Sequence, residues 1–133
     1  MSDSVLDRFG IRPTVDQESS RIDVPDDFGA FGWLRGIRDR ALTLELRKKD
    51  GSILGVGYAW IDRISFDPSE GITLSVSGQK IVIRGRNLNG EVQGEARLFR
   101  GICQHRVPWV QEADEPAIME SQGQGVLIEQ IEW

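Results

Sequence analysis

Short runs of alternating apolar and polar residues, glycine-bearing turns between them, and two stretches with apolar residues at helical spacing together predict an α+β, mainly β fold. The expected order is a short N-terminal helix, a curved antiparallel meander of four strands, a second helix, and one or two C-terminal strands. A chain of 133 residues suits one domain that buries its own core without disulfides or metal.

Met1 to Asp27 is mostly polar or acidic, carries Pro13 and Pro25, and has no sustained apolar period. So little of it can be buried that residues 1–27 are expected to form a flexible acidic arm, with the β-rich domain over 28–133. After Phe28, the residues Phe31, Leu34, Ile37 and Ala41 recur at helical spacing and predict a short helix, weakened by Gly29, Gly32 and Gly36. Its aromatics, Phe28, Phe31 and Trp33, read as core or oligomer contacts rather than a platform for stacking bases.

Leu42, Leu44 and Leu46 alternate with Thr43, Glu45 and Arg47, the pattern of a strand with one wet face. Asp50-Gly51 suits a tight hairpin turn, and a long second strand is expected from Ile53. On it Leu54, Val56, Tyr58, Trp60, Ile64 and Phe66 share one parity, which places Leu44 and Trp60 in the core. The other parity holds Gly55, Gly57 and Ala59, small residues that permit sharp bending or close approach by another backbone. Asp67-Pro68-Ser69-Glu70-Gly71 turns the chain into a third strand, Ile72 to Ser77, and Gly78 turns it into a fourth, Ile81 to Arg84.

Past Asn87 the period changes. Leu88, Val92, Ala96, Phe99 and Cys103 mark a helical stripe, with Asn89 as N-cap and Pro108 ending the helix near Arg106. Val107 to Val110 reads as extended, Glu112 to Pro116 as an acidic loop, and Val126 to Trp133 as a final strand that Ala117 to Glu120 could join.

The net charge of −5 is unevenly distributed. Met1 to Ala30 carries −4, Phe31 to Val110 carries +5, and Gln111 to Trp133 carries −6. A basic middle between acidic ends permits an anionic ligand, though solvated faces would give the same count. Cys103 is the single cysteine, which excludes an internal disulfide and favours a reducing compartment. With no basic-then-apolar leader at the start and no apolar run long enough to span a bilayer, the expected location is the cytoplasm, with no membrane partner.

Chemistry is sparsely marked. On a helix, Cys103 and the single histidine, His105, point about 200° apart, so they do not form a nucleophile–base dyad. Cys103 is expected to be a buried helix residue and His105 a cation at the helix C-terminus. No Cys-x-x-Cys, His-x-x-x-His or calcium-loop spacing occurs, and the carboxylates of Glu112, Asp114 and Glu115 read as solvated loop acids. No catalytic residue, metal or cofactor is assigned, and an enzyme is not expected.

One segment carries a resemblance. Ile83-Arg84-Gly85-Arg86-Asn87-Leu88, at the end of the fourth strand, resembles the second signature of the Sm and Sm-like RNA-binding family. The order of a short helix before a bent sheet is also similar, and the resemblance covers roughly Phe28 to Leu88. It implies a small Sm-like or SH3-like barrel and contacts to single-stranded RNA by Arg84 and Gly85. Asp62 falls in a comparable strand, with Ser65 and Phe66 where that family's asparagine is expected. Read without the family, Arg84, Gly85 and Arg86 form a turn that could contact an anion, or a polar turn whose arginines pair with carboxylates. The expected function is therefore a protein-interaction or self-assembly module whose exposed strand edges and aromatics pair with other subunits; the alternative is a binder of RNA or single-stranded DNA.

Overall fold

A computed structural model of the chain describes residues 25–36, 38–92, 96–121 and 125–133. The expected arm lies outside the described residues except for Pro25 to Asp27. There β1 (Asp26–Asp27) pairs antiparallel with β2 (Gly32–Trp33).

The helix expected after Phe28 is replaced by this small hairpin. Gly29 adopts φ +85°, a left-handed conformation incompatible with a helical run, and Phe28 N donates to the Phe31 carbonyl (3.0 Å). Phe31 gains complete burial as an isolated bridge to Val110, with the Phe28 and Trp33 rings at 5.4 and 6.5 Å. Gly32 is needed for this approach, because an added Cβ would collide with the Trp109 indole.

The first sheet has the order β4-β3-β8. At its centre, β3 (Thr43–Arg47) pairs antiparallel with β4 (Ile53–Gly57) and parallel with β8 (Trp109–Gln111). Within β3 the alternation read from the sequence is realised, with Leu44 and Leu46 fully buried and Thr43, Glu45 and Arg47 facing outward. Leu42, read as part of the same apolar face, instead precedes the strand and is 87% exposed. Gly51, at φ +98°, makes the β3–β4 turn.

The long second strand is broken. One turn of 3₁₀ helix (Tyr58–Trp60) separates β4 from β5 (Ile61–Asp67). Residues two apart share a strand face but point about 240° apart at three residues per turn. Tyr58 therefore enters the core while Trp60, expected there, is 67% exposed. Gly57 leaves room beside it, since an added Cβ would sit 2.8 Å from Trp60 Cδ1.

The second sheet runs β5-β6-β7-β9, with β6 (Gly71–Val76), β7 (Gln79–Arg86) and β9 (Leu127–Glu132) all antiparallel. Ser77 and Gly78 both have positive φ, the two-residue turn whose twist suits a hairpin. The meander thus comprises β5, β6 and β7, with the β3–β4 hairpin in the other sheet, and the sheets do not close into a barrel.

The second helix is shorter than expected: α1 spans Leu98–Cys103. Asn89 is not its cap; Asn87 takes φ +57° and accepts from Gly90 N in a turn (2.9 Å). The helix closes with Arg106 N donating to the Gly101 carbonyl and His105 N to that of Ile102, with His105 at φ +59° in the place glycine usually takes. Instead of pairing with the last strand, the segment after the acidic loop forms α2 (Glu115–Ser121), capped by Asp114 Oδ1 accepting from Ala117 N (3.0 Å).

Both sheets contribute to one core. Glu112, expected in a solvated loop, is buried where they meet. Its carboxylate accepts from Lys49 N (2.9 Å) beyond β3 and from Ile131 N (2.6 Å) on β9.

Candidate functional site

The Arg84–Gly85–Arg86 segment closes β7 against β9. Arg84 Nε donates to Glu132 Oε2 (2.8 Å), and Arg86 Nε donates to Glu129 Oε2 (3.1 Å). Two cations facing two carboxylates offer little net charge to an anion, and exposed pairs of this kind contribute about 0 to 1 kcal/mol. Gly85 sits at an irregularity: Arg84 opposes Gln130 and Gly85 opposes Ile128, so Glu129 is an extra residue in β9. An added Cβ at Gly85 would collide with the Leu127 carbonyl. Strand pairing thus accounts for Gly85, and carboxylates of β9 partner the two arginines beside it.

A second cationic group was missed in the sequence because its members lie far apart along it. Leu34 N donates to the Arg106 carbonyl (2.8 Å), Ala41 N donates to that of His105 (2.7 Å), and Arg106 Nη1 donates to the carbonyls of Leu34 (2.7 Å) and Gly36 (2.9 Å). These bonds join the segment after β2 to the end of α1. Arg35, Arg97, Arg100 and Arg106 then line one cleft with Trp33, Glu91 and Gln104. The arginine-rich stretches Leu34 to Arg40 and Arg97 to Arg106 were the available signal, but only the fold brings them together.

The edge of the first sheet is the other candidate. In an antiparallel ladder, opposed pairs alternate between exchanging hydrogen bonds and not doing so. Tyr58 N donates to the Leu42 carbonyl (2.9 Å) and Lys48 N to that of Ser52 (2.8 Å), so Leu44–Val56 and Leu46–Leu54 are the bonded pairs. The backbone groups of Ile53, Gly55 and Gly57 consequently point away from β3, and no described strand lies on that side. Ile53 is 60% exposed, and only Thr43 Cγ2, at 3.5 Å, lies near the position of a Cβ added at Gly55.

Cys103 is exposed rather than buried, and desolvation, opposed by Arg100, raises its thiol above the ordinary value. His105 stacks on Tyr58 with ring centres 4.3 Å apart. Among the described residues, no group of three or more His, Cys, Asp and Glu is placed to hold a metal ion, and no helix is long and apolar enough to cross a membrane. Comparison with protein-family models, with curated proteins and with solved structures gives no match in any of the three.

Proposed function

We propose that this domain is a self-association module in which β4 of one copy pairs antiparallel with β4 of a second. The observation that carries the reading is the character of that edge: Ile53-Leu54-Gly55-Val56-Gly57 contains no charge and no proline, the usual devices that keep a free strand from pairing. Centred on Gly55, the register sets Gly55 opposite its own copy and Ile53 opposite Gly57. The three outward-facing residues of each strand then exchange about six backbone hydrogen bonds. Ile53 meets the position where the exposed Trp60 indole lies beside Gly57, so a large apolar group faces a glycine covered by an aromatic ring.

Single-stranded RNA binding through Arg84, Gly85 and Arg86 has weaker support, because both guanidiniums are engaged by β9 carboxylates and Gly85 is required by strand pairing. The test is solution mass by light scattering over a range of concentrations, for the wild type and Gly55→Lys. The substitution places two lysines directly opposite each other in a site with room for a side chain. The wild type should approach twice the chain mass with rising concentration, and the variant should remain monomeric, with the same thermal stability as the wild type at concentrations where both are monomers. A monomeric wild type at high concentration, or a variant that associates as well, would rule the register out.

A further inference from the structure

We infer that the arginine-lined cleft between the Leu34–Gly36 segment and α1 binds a compact small molecule carrying phosphate groups. The cleft is independent of the β4 edge and holds about 670 Å³. Among the described residues, four arginines line it with one lining carboxylate, Glu91, which approaches Arg97 at 3.7 Å, and a second carboxylate, Asp26, pairs with Arg35 from beside it. Such convergence of like charge is unfavourable in an empty cleft and favourable around an anion.

Two of the arginines are fixed from behind. Asp26 Oδ2 accepts from Arg35 Nε (2.7 Å) and lies 2.5 Å from Arg35 Nη2, while Arg106 is held by the carbonyls of Leu34 and Gly36. Arg97, the extended residue that precedes α1, and Arg100, in its first turn, both line the cleft. Arg100 has no carboxylate partner among the described residues. Guanidinium forks match phosphate oxygens in pairs, a geometry that lysines would not supply.

The aromatic residue in the cleft decides between a compact ligand and a nucleic-acid strand. Trp33 is half-buried; it contacts Phe31 edge-on at 6.5 Å, abuts Gly101, and has the Arg106 guanidinium 6.0 Å above its ring. It is therefore not a free platform on which a base could stack, as single-strand binders use.

Pyrophosphate is the probe, titrated calorimetrically into the full chain at low ionic strength. It should bind, and Arg100→Gln and Arg97→Gln should each weaken binding about tenfold or more, the usual effect of losing a hydrogen bond to a charged group. Arg86→Gln, on β7, should leave affinity unchanged, and circular dichroism would show that each variant is folded. No binding at millimolar pyrophosphate, an equal response to sulfate at matched ionic strength, or indifference to both cleft substitutions would overturn the assignment. Binding of a thymidine oligonucleotide in the absence of pyrophosphate binding would overturn it in favour of a nucleic-acid backbone.

Discussion

Two edge strands, β4 of the first sheet and β5 of the second, lie on either side of a single 3₁₀ turn, yet they are built differently. On β4 every residue from Ile53 to Gly57 is uncharged. On β5 the exposed positions include Asp62, Arg63 and Asp67, and the register with β6 shifts between Ile61 and Arg63. Charge and irregularity are the common means of preventing a sheet edge from recruiting another strand. The apolar residues of β5 are also partly used within the fold, since Phe66 lies 5.8 Å from the Phe99 ring of α1. A free edge is thus a docking site only when its sequence leaves it unguarded, and β4 meets that condition where β5 does not.

The largest expected effects separate the interior of the first sheet from its edge. Leu44 is fully buried on β3 and Trp60 is largely exposed beside β4. Leu44→Ala should therefore cost about 2 to 5 kcal/mol in denaturant unfolding. Trp60→Ala should change stability by only about 0.5 kcal/mol and instead weaken self-association. Equal destabilisation by the two would mean that the indole serves the core and that β4 lacks its apolar flank.

Next in size is the connection between the sheets. Glu112→Ala removes the acceptor for Lys49 N and Ile131 N, and should cost about 2 to 4 kcal/mol because backbone donors lose their partner. If the sheets are coupled through this carboxylate, amide exchange should quicken near Lys49 and Ile131 together. Faster exchange at only one of them would break the coupling.

These residues also show what the sequence could and could not reveal. The strands β3, β6 and β7 were legible because one face of each is wet, so burial leaves a period of two, and because Gly51, Gly71 and Gly78 occupy left-handed turn positions. In β9 the extra residue Glu129 breaks that period. The first segment misled because Phe28, Phe31 and Leu34 fit a helical period and a tight hairpin alike, and only Gly29 and Gly32 distinguish them. Trp60 misled because a 3₁₀ turn inverts parity without an obvious signal. Neither the burial of Glu112 nor the convergence of Arg35 with Arg97 could be read locally, as both depend on contacts between segments distant in sequence. That β4 is an edge follows from β8 taking the other side of β3, and no residue of β4 records this.

A smaller effect is expected at Tyr58, which anchors the 3₁₀ turn separating the two edges. Its hydroxyl donates to the Val107 carbonyl (2.7 Å), and burial pushes its pKa well above the ordinary 10.0. Since the folded value exceeds the unfolded one, the contribution is complete below about pH 10 and declines above it, where the unfolded phenol ionises and the folded one does not. Tyr58→Phe should cost about 1 to 2 kcal/mol near neutrality. The difference between wild type and variant should shrink by about 1.4 kcal/mol for each pH unit above 10. As Tyr58 is the single tyrosine, absorbance titration of the folded protein reads its ionisation directly. Ionisation near pH 10 without unfolding would place the hydroxyl in solvent.

The smallest effect on stability, and the closest test of the contrast between the edges, is expected from the double variant Asp62→Asn with Arg63→Gln. Both residues are exposed on β5, so replacing them should alter stability by less than about 0.5 kcal/mol. Their removal makes β5 as uncharged along its centre as β4 while leaving the register shift in place. If charge is what guards this edge, the double variant should form species larger than a dimer at high concentration, because each copy would then offer two competent strands. Adding Gly55→Lys should return it to a dimer joined through β5 rather than to a monomer. If the double variant has the same solution mass as the wild type at every concentration, the irregularity between Ile61 and Arg63 protects β5 by itself. The difference between the two edges would then lie in backbone geometry rather than in charge.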